Sequence, residues 1–236
     1  MKWNRVLLKL SGEALAPETG FGIDDNVIAD IAAQIVTLHK EGYELAVVVG
    51  GGNFWRGRSS ANMDRSTADY MGMLATVING LALQDAIEEL DVPTRVMSAI
   101  EMPKVAEPYI RRRAVSHLEK RRIVIFSGGT GNPFFSTDTT AALRAAEIDA
   151  QLTLFAKIID GVYDKDPKSY ENARKFDRMT YKEILDLDLQ VMDQTAATLL
   201  RENNIPCFVF SMKSEQSLIR ALRSQNEGTM IRREHE

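Results

Sequence analysis

The sequence has one cysteine in 236 residues, Cys207, and this rules out an intrachain disulfide. It sits in the apolar run Cys207 to Phe210, where an inert buried thiol is the natural reading. No stretch approaches the roughly 18 uninterrupted apolar residues that a membrane helix requires. Met1 to Arg5 carries neither an apolar signal region nor a small-residue cleavage site, so a cytoplasmic protein with no membrane partner is expected. Excess positive charge is also missing. The formal net charge is −4, whereas nucleic-acid binding leaves a basic footprint, so no nucleic acid is required as a partner. Two local exceptions are Arg111-Arg112-Arg113 and Lys120-Arg121-Arg122, each either a solvated helix face or a site for an anionic effector.

Several catalytic signatures are absent as well. There is no G-x-x-x-x-G-K-[ST] phosphate loop, no H-R-D motif of protein kinases and no G-x-S-x-G nucleophile elbow. His39, His117 and His235, together with Cys207, show no metal-ligand spacing, so no protein-held metal is expected. These absences leave room for phosphoryl transfer, which needs positioning and cations more than covalent chemistry from the protein.

What is present is an ordinary globular composition, 44% hydrophobic and 26% charged, in a length that suits one α/β domain. Apolar runs predict strands over Arg5 to Leu10, Leu45 to Val49, Thr94 to Met97, Ile123 to Phe126, Leu152 to Ala156, Cys207 to Phe210 and Thr229 to Ile231. Between them lie predicted helices. One is capped by Asp24 or Asp25, buries Ile28, Ile31, Ile35 and Leu38 on one face and ends at Gly42. Others cover Ser66 to Leu90, pieces of Pro103 to Glu119 interrupted at Pro108, Thr139 to Ala146, Tyr181 to Leu185, Gln194 to Glu202 and Ser214 to Ser224. Lys168 to Lys175 is polar and expected on the surface. Alternating strands and helices imply an α/β fold: an open, mainly parallel sheet sandwiched between helices. Without repeats or linkers, residues 1–236 form a single domain with two lobes, about 1–150 and about 151–236, meeting at a crevice. The Ser66 to Leu90 helix is apolar nearly all round, so it is buried on two sides, either within the chain or against another subunit. An oligomer interface is favoured.

Three glycine-rich turns follow predicted strands. After the first strand, Lys9 precedes Ser11-Gly12-Glu13, placed either to reach a phosphate or simply to sit on an edge strand. After Val49 come Gly50-Gly51-Gly52-Asn53-Phe54-Trp55-Arg56-Gly57, whose arginine can fork onto a phosphate or make a structural ion pair. After Phe126 come Ser127 to Asp138, with three glycines and then a helix start, where free N–H groups favour an anion. One such turn is weak evidence, but several at the ends of parallel strands begin to define a crevice. Phe134 and Phe135 need a flat or apolar cover, either a planar base or the core. Ser136, Thr137 and Asp138 are all candidate helix caps. Asp69 is either a ligand for a hydroxyl or a helix-entry residue. Lys157, at the end of another strand, mirrors Lys9; two lysines and an arginine would neutralise a triphosphate. Tyr163, between the turns Asp160-Gly161 and Asp166-Pro167, is available to stack.

LLKLSGEAL at Leu7 to Leu15, VVVGGGNFWRG at Val47 to Gly57, ADYMGMLATVINGLAL at Ala68 to Leu83, GTGNPFFSTD at Gly129 to Asp138 and DGVYDKDP at Asp160 to Pro167 together resemble the bacterial uridylate (UMP) kinases of the amino acid kinase family. The resemblance runs along essentially the whole chain. It implies transfer of the ATP γ-phosphoryl group to UMP, with Mg²⁺. It implies ATP contacts from Lys9, Leu10, Ser11, Gly12, Gly52, Arg56, Lys157, Tyr163 and Asp166. It implies UMP contacts from Gly51, Asp69, Thr130, Gly131, Asn132, Pro133, Phe134, Phe135, Ser136 and Thr137. Lys9 and Asp138 are then the catalytic pair, with Asp138 organising the lysines around the transferring group. The segment Pro17, Glu18, Thr19, Gly20, Phe21 and Gly22 resembles a region tied to GTP activation. UTP inhibition and a homohexamer are further family traits. The chain departs in having Ser136 where many members have threonine, and Lys157 where related sequences often carry threonine or asparagine. Another small-molecule kinase of this fold would have a different acceptor loop without paired phenylalanines. A non-catalytic nucleotide sensor would have lost Lys9 or Asp138, and both are present.

Overall fold

The computed structural model describes residues 3–55 and 63–234. Five apolar segments form the centre of one sheet: β1 (Arg5–Leu10), β2 (Glu44–Val49), β5 (Ile123–Ser127), β6 (Leu152–Lys157) and β10 (Cys207–Ser211). The strands β3 (Thr94–Ser98), β4 (Glu107–Pro108), β9 (Arg178–Thr180) and β11 (Gly228–Arg232) complete it, in the order β4-β3-β5-β2-β1-β6-β10-β11-β9. Neighbours run parallel except β10 with β11. The expected open, mainly parallel sheet is therefore present.

Alternate strand residues point to opposite faces, which splits the core in two. On one face Leu8, Val47, Ile125, Leu154 and Phe208 pack beneath α1 (Asp25–Lys40), α2 (Arg65–Glu88) and α7 (Ser217–Arg223). On the other, Leu7, Val48, Phe126, Phe155 and Val209 meet α3 (Arg111–Glu119), α4 (Thr137–Glu147), α5 (Tyr181–Asp186) and α6 (Gln194–Glu202). Both faces being covered explains why these strands read as continuous apolar runs.

The chain lays β2 on one side of β1 and later returns to place β6 on the other. The carboxyl ends of β1 and β6 thus flank the point where strand order reverses, the usual site of a crevice in such sheets. Lys9 and Lys157 stand there. Because β1 is central, the edge-strand reading of Lys9 is excluded.

Several predicted elements shift. Asp24 is the α1 cap, accepting from the N–H groups of Asn26 and Val27. The pieces expected from Pro103 onward reduce to α3 starting at Arg111. Glu107–Pro108 is instead a two-residue strand, and it lies on the sheet edge, where a proline lacking its N–H is tolerated. The last helix starts at Ser217 rather than Ser214, after Gln216 in a left-handed conformation. The polar excursion from Lys168 closes as a small hairpin of β7 (Val162–Tyr163) and β8 (Lys175–Phe176). On α2, Ala68, Met73, Thr76, Asn79, Leu83 and Ile87 are buried, while Tyr70, Leu74 and Ile78, at steps of four, are 45–49% exposed. Packing within the chain covers only one side of that helix.

Candidate active site

The crevice centres on one carboxylate and two ammonium groups. Lys9 on β1 and Lys157 at the end of β6 reach Asp138 from opposite sides, Nζ to Oδ1 at 2.8 Å and Nζ to Oδ2 at 2.8 Å. Each group comes from a different element, and Asp138 is the second residue of α4. Lys9 is only 6% exposed, and a buried charge persists only when paired. Burial pushes the Lys9 ammonium below its usual value, opposed by Asp138 and reinforced by Lys157. Burial alone would raise the Asp138 carboxyl, but Lys9 and Lys157 outweigh it and hold it below the usual carboxylate range. The first turn of α4 adds its dipole in the same direction. The cluster carries net charge +1 and is set to receive an anion.

The loop before α4 owes its shape to residues in left-handed conformation: Gly128 (φ 76°), Gly131 (φ 82°) and Phe134 (φ 72°). Gly128 N–H donates to Thr76 Oγ1 of α2 at 2.7 Å, Asn132 N–H donates to Thr130 Oγ1 at 3.2 Å, and Phe134 N–H donates to Asp69 Oδ2 at 2.8 Å. Asp69 also pairs with Arg65 Nε at 2.8 Å, and the Arg65 guanidinium lies 5.6 Å from the Phe134 ring centre. Phe134 and Phe135 are 67% and 54% exposed, so core packing does not explain them. Ser136 is the α4 cap, accepting from Thr139 N–H at 3.0 Å. The Ser136 and Thr139 hydroxyls both donate to Asp193, the latter at 2.8 Å, and Asp193 in turn caps α6 through Ala196 N–H. The two residues flanking Asp138 closely in sequence are thereby fixed to the far side of the crevice.

Two cavities adjoin this cluster among the described residues, and a smaller one lies beside the first. One of about 360 Å³ is lined by Arg65, Asp69, Phe135, Ser136, Asp138 and Lys157, with residues 190–193 opposite. A smaller one of about 120 Å³ continues it past Thr130, Asn132, Thr137 and Thr140. The third, about 690 Å³, runs from Lys9, Ser11 and Glu13 past Lys157 to Tyr163, Asp166 and Leu189. Lys157 lines both the first and the third, so the ammonium groups stand where two compartments join.

The remaining expected residues divide. Leu10 is fully buried, and its carbonyl accepts from Gly50 N–H at 2.8 Å, joining the first two glycine turns. A Cβ on Gly51 would fall 2.6 Å from the Gly72 carbonyl, and one on Gly12 would fall 2.7 Å from Gly52 N, so close backbone approach accounts for both glycines. Tyr163 is held by its hydroxyl donating to Asp160, and Asp166 caps its own turn by accepting from Lys168 N–H and Ser169 Oγ. Gly131, Pro133 and Phe134 border none of the three cavities, and neither does Pro17 to Gly22. That segment is tied instead to the second glycine turn, Gly22 N–H donating to the Asn53 carbonyl. Arg56 and His235 lie outside the described residues. Sequence reasoning missed Arg65, Thr76 and Asp193; only Asp193, immediately before the helix at Gln194, carried a recognisable capping signal.

The sequence model described as the amino acid kinase family matches residues 4–211. Among solved structures, UMP kinase from Ureaplasma parvum aligns at 40% identity over 98% of this chain and 100% of its own, with a TM-score of 0.93. UMP kinase from Bacillus anthracis aligns at 39% identity over 99% of this chain and 97% of its own, with a TM-score of 0.95. On a match of this length, the chain belongs to the amino acid kinase family.

Proposed function

We propose that this chain is a UMP kinase, moving the γ-phosphoryl group of ATP to UMP to give UDP and ADP. The observation that carries the proposal is the Asp138 carboxylate bridging Lys9 and Lys157 where the two compartments join. The larger compartment suits ATP. Its phosphates would lie against the Lys9 to Gly12 segment, Gly52 and Arg56, its base near Tyr163 and its ribose near Asp166. The smaller compartments suit UMP, with Asp69 on the ribose and Thr130 to Thr137 closing round the nucleotide. Gly51, whose lack of a side chain lets the turn lie against Gly72 and Ala75 of α2, would contact UMP through its backbone.

In the reaction a phosphate oxygen of UMP attacks the γ-phosphorus while the bond from that phosphorus to the β,γ-bridging oxygen breaks, and the bonding electrons leave with ADP. The attacking oxygen is already ionised, so no general base is required, consistent with a site built of cations. Lys9 and Lys157 stabilise charge on the transferring group, and Asp138 holds both ammonium groups in place. Among the described residues no group of three histidine, cysteine, aspartate or glutamate side chains could hold a metal, and both Asp138 oxygens already face ammonium groups. The residues therefore offer no fit for a protein-held ion. Mg²⁺ belongs to the proposal as part of the ATP complex, since it commonly reaches such sites on substrate phosphates.

The proposal extends to a cytoplasmic homohexamer serving pyrimidine nucleotide synthesis, activated by GTP through Pro17 to Gly22 and inhibited by UTP. Residues of about 1–150 supply acceptor binding and self-association, and residues of about 151–236 supply ATP binding. The uncovered Tyr70, Leu74 and Ile78 stripe supports self-association. The test is a coupled assay of ADP release with ATP, Mg²⁺ and each of UMP, CMP, AMP and GMP. UMP should turn over far faster than the others, and turnover with another acceptor but not UMP would refute the proposal.

A further inference from the structure

Beneath the glycine turns after β1 and β2 lie two side-chain amides that the chemistry above does not use. Asn53 belongs to the second turn and is 1% exposed; Asn79 comes from the middle of α2 and is fully buried. Asn79 Nδ2 donates to the Gly50 carbonyl at 2.7 Å and to Asn53 Oδ1 at 2.7 Å. Asn53 Nδ2 donates to Asn79 Oδ1 at 2.9 Å and to the Gly22 carbonyl at 2.7 Å. A backbone carbonyl can only accept, so each carbonyl fixes which end of its amide is the NH₂ group. Each amide oxygen is then left to take the other amide's second N–H. All four amide hydrogens are used, and no water is needed.

The pair is also a spacer. A Cβ on Gly12 would lie 2.6 Å from Asn53 Oδ1, so the first glycine turn rests directly on this amide. The second turn hangs from Asn79 through Gly50. Four segments meet at the pair: the two turns, the end of the Pro17 to Gly22 segment, and α2, whose N-terminal half carries Asp69, the acceptor for Phe134 N–H of the acceptor loop.

We infer that Asn53 and Asn79 are positioning residues that set the distance between the two glycine turns and thereby orient the backbone N–H groups that receive the phosphates of the donor nucleotide. The inference rests on the proposal that these turns hold ATP. A pair that merely filled the core would affect folding and both substrates alike, whereas a spacer for the donor turns weakens the donor selectively.

The test is steady-state kinetics on the full chain with Asn79→Asp, which keeps the size of the side chain and its acceptor for Asn53 but turns an oxygen toward the Gly50 carbonyl. Leaving a buried carbonyl unpaired is expected to raise the ATP KM about tenfold or more, with the UMP KM within about threefold of wild type. Asn79→Ser, which shortens the side chain, should do the same. Thermal melts of both variants establish that they are folded at the assay temperature, and if only one is folded, that one decides. Equal rises in both KM values, no rise in either, or loss of folding in both variants would overturn the inference. A wild-type chain without ATP-dependent turnover would instead overturn the functional proposal beneath it, so the two failures are told apart.

Discussion

Asp138→Asn is the most informative single change, because asparagine keeps the shape of the side chain and removes only its charge. Both carboxylate oxygens lie 2.8 Å from an ammonium group, and Asp138 and Lys9 are largely buried, with side-chain exposures of 14% and 8%. Removing one partner of a buried pair costs about 3–5 kcal/mol. In a domain of this size each kcal/mol shifts Tm by about 2–4 °C, so a fall of roughly 6–20 °C is expected without nucleotide. The effect should depend on pH in a defined way. The Asp138 carboxyl is held below its usual value of 3.8, so its contribution is complete above pH 3.8 and is lost as pH falls through its folded value. Lys9 has a folded value below 10.5, so toward that pH the folded state can shed a proton that the unfolded state keeps, and the cost of its unpaired charge declines. The gap between wild type and variant is therefore widest near neutral pH and narrows at both ends. Saturating ATP should also narrow it, since the triphosphate replaces the missing negative charge, while kcat falls by about 10²–10³ through loss of oriented cations. Melting curves by circular dichroism from pH 3 to 10, with and without ATP, provide the assay. A variant whose Tm matches wild type near pH 7, or whose deficit is the same at every pH, would refute the account of the cluster.

Three further outcomes are expected. Lys9→Ala should lower kcat by about 10² or more with little change in UMP KM, because its ammonium acts on charge that develops in the transition state; an unchanged kcat would remove Lys9 from the chemistry. Asp69→Asn keeps an acceptor for Phe134 N–H but loses the ion pair to Arg65, so the UMP KM should rise by more than the ATP KM, and equal rises would count against its place on the acceptor side. The Cys207 thiol is fully buried and its pKa is pushed up to about 12 by burial, so a disulfide reagent at pH 8 should leave the native chain unmodified and label it fully once denatured.

The sheet was legible in the sequence because its central strands are covered on both faces and so appear as unbroken apolar runs bounded by glycine. The two-residue strands were not, since Val162–Tyr163 and Lys175–Phe176 are too short for any periodicity to register. Proline at position 108 read as a break in a helix, whereas the same residue is compatible with a short edge strand. In the site, Lys9 and the glycine turns stood out by residue type and place, whereas Asp138 read as a candidate helix cap and took its catalytic role only from the family resemblance. That Asp138 touches both lysines could not be read from spacing, because 129 and 19 residues separate them and only the sheet order joins their strands. Asn79 and Thr76 were hidden for the opposite reason. A polar residue inside an apolar helix gives no sign of whether it faces water, a neighbouring turn or nothing.

The central claim is that the γ-phosphoryl group moves from ATP onto UMP. Phosphorus NMR of the purified chain with equal concentrations of ATP, UMP and Mg²⁺ follows every phosphorus atom at once. The ATP γ signal and the UMP monophosphate signal should decline together while UDP and ADP diphosphate signals grow in equal amounts, with no inorganic phosphate. Inorganic phosphate appearing while UMP stays intact, or a spectrum that does not change, would contradict it.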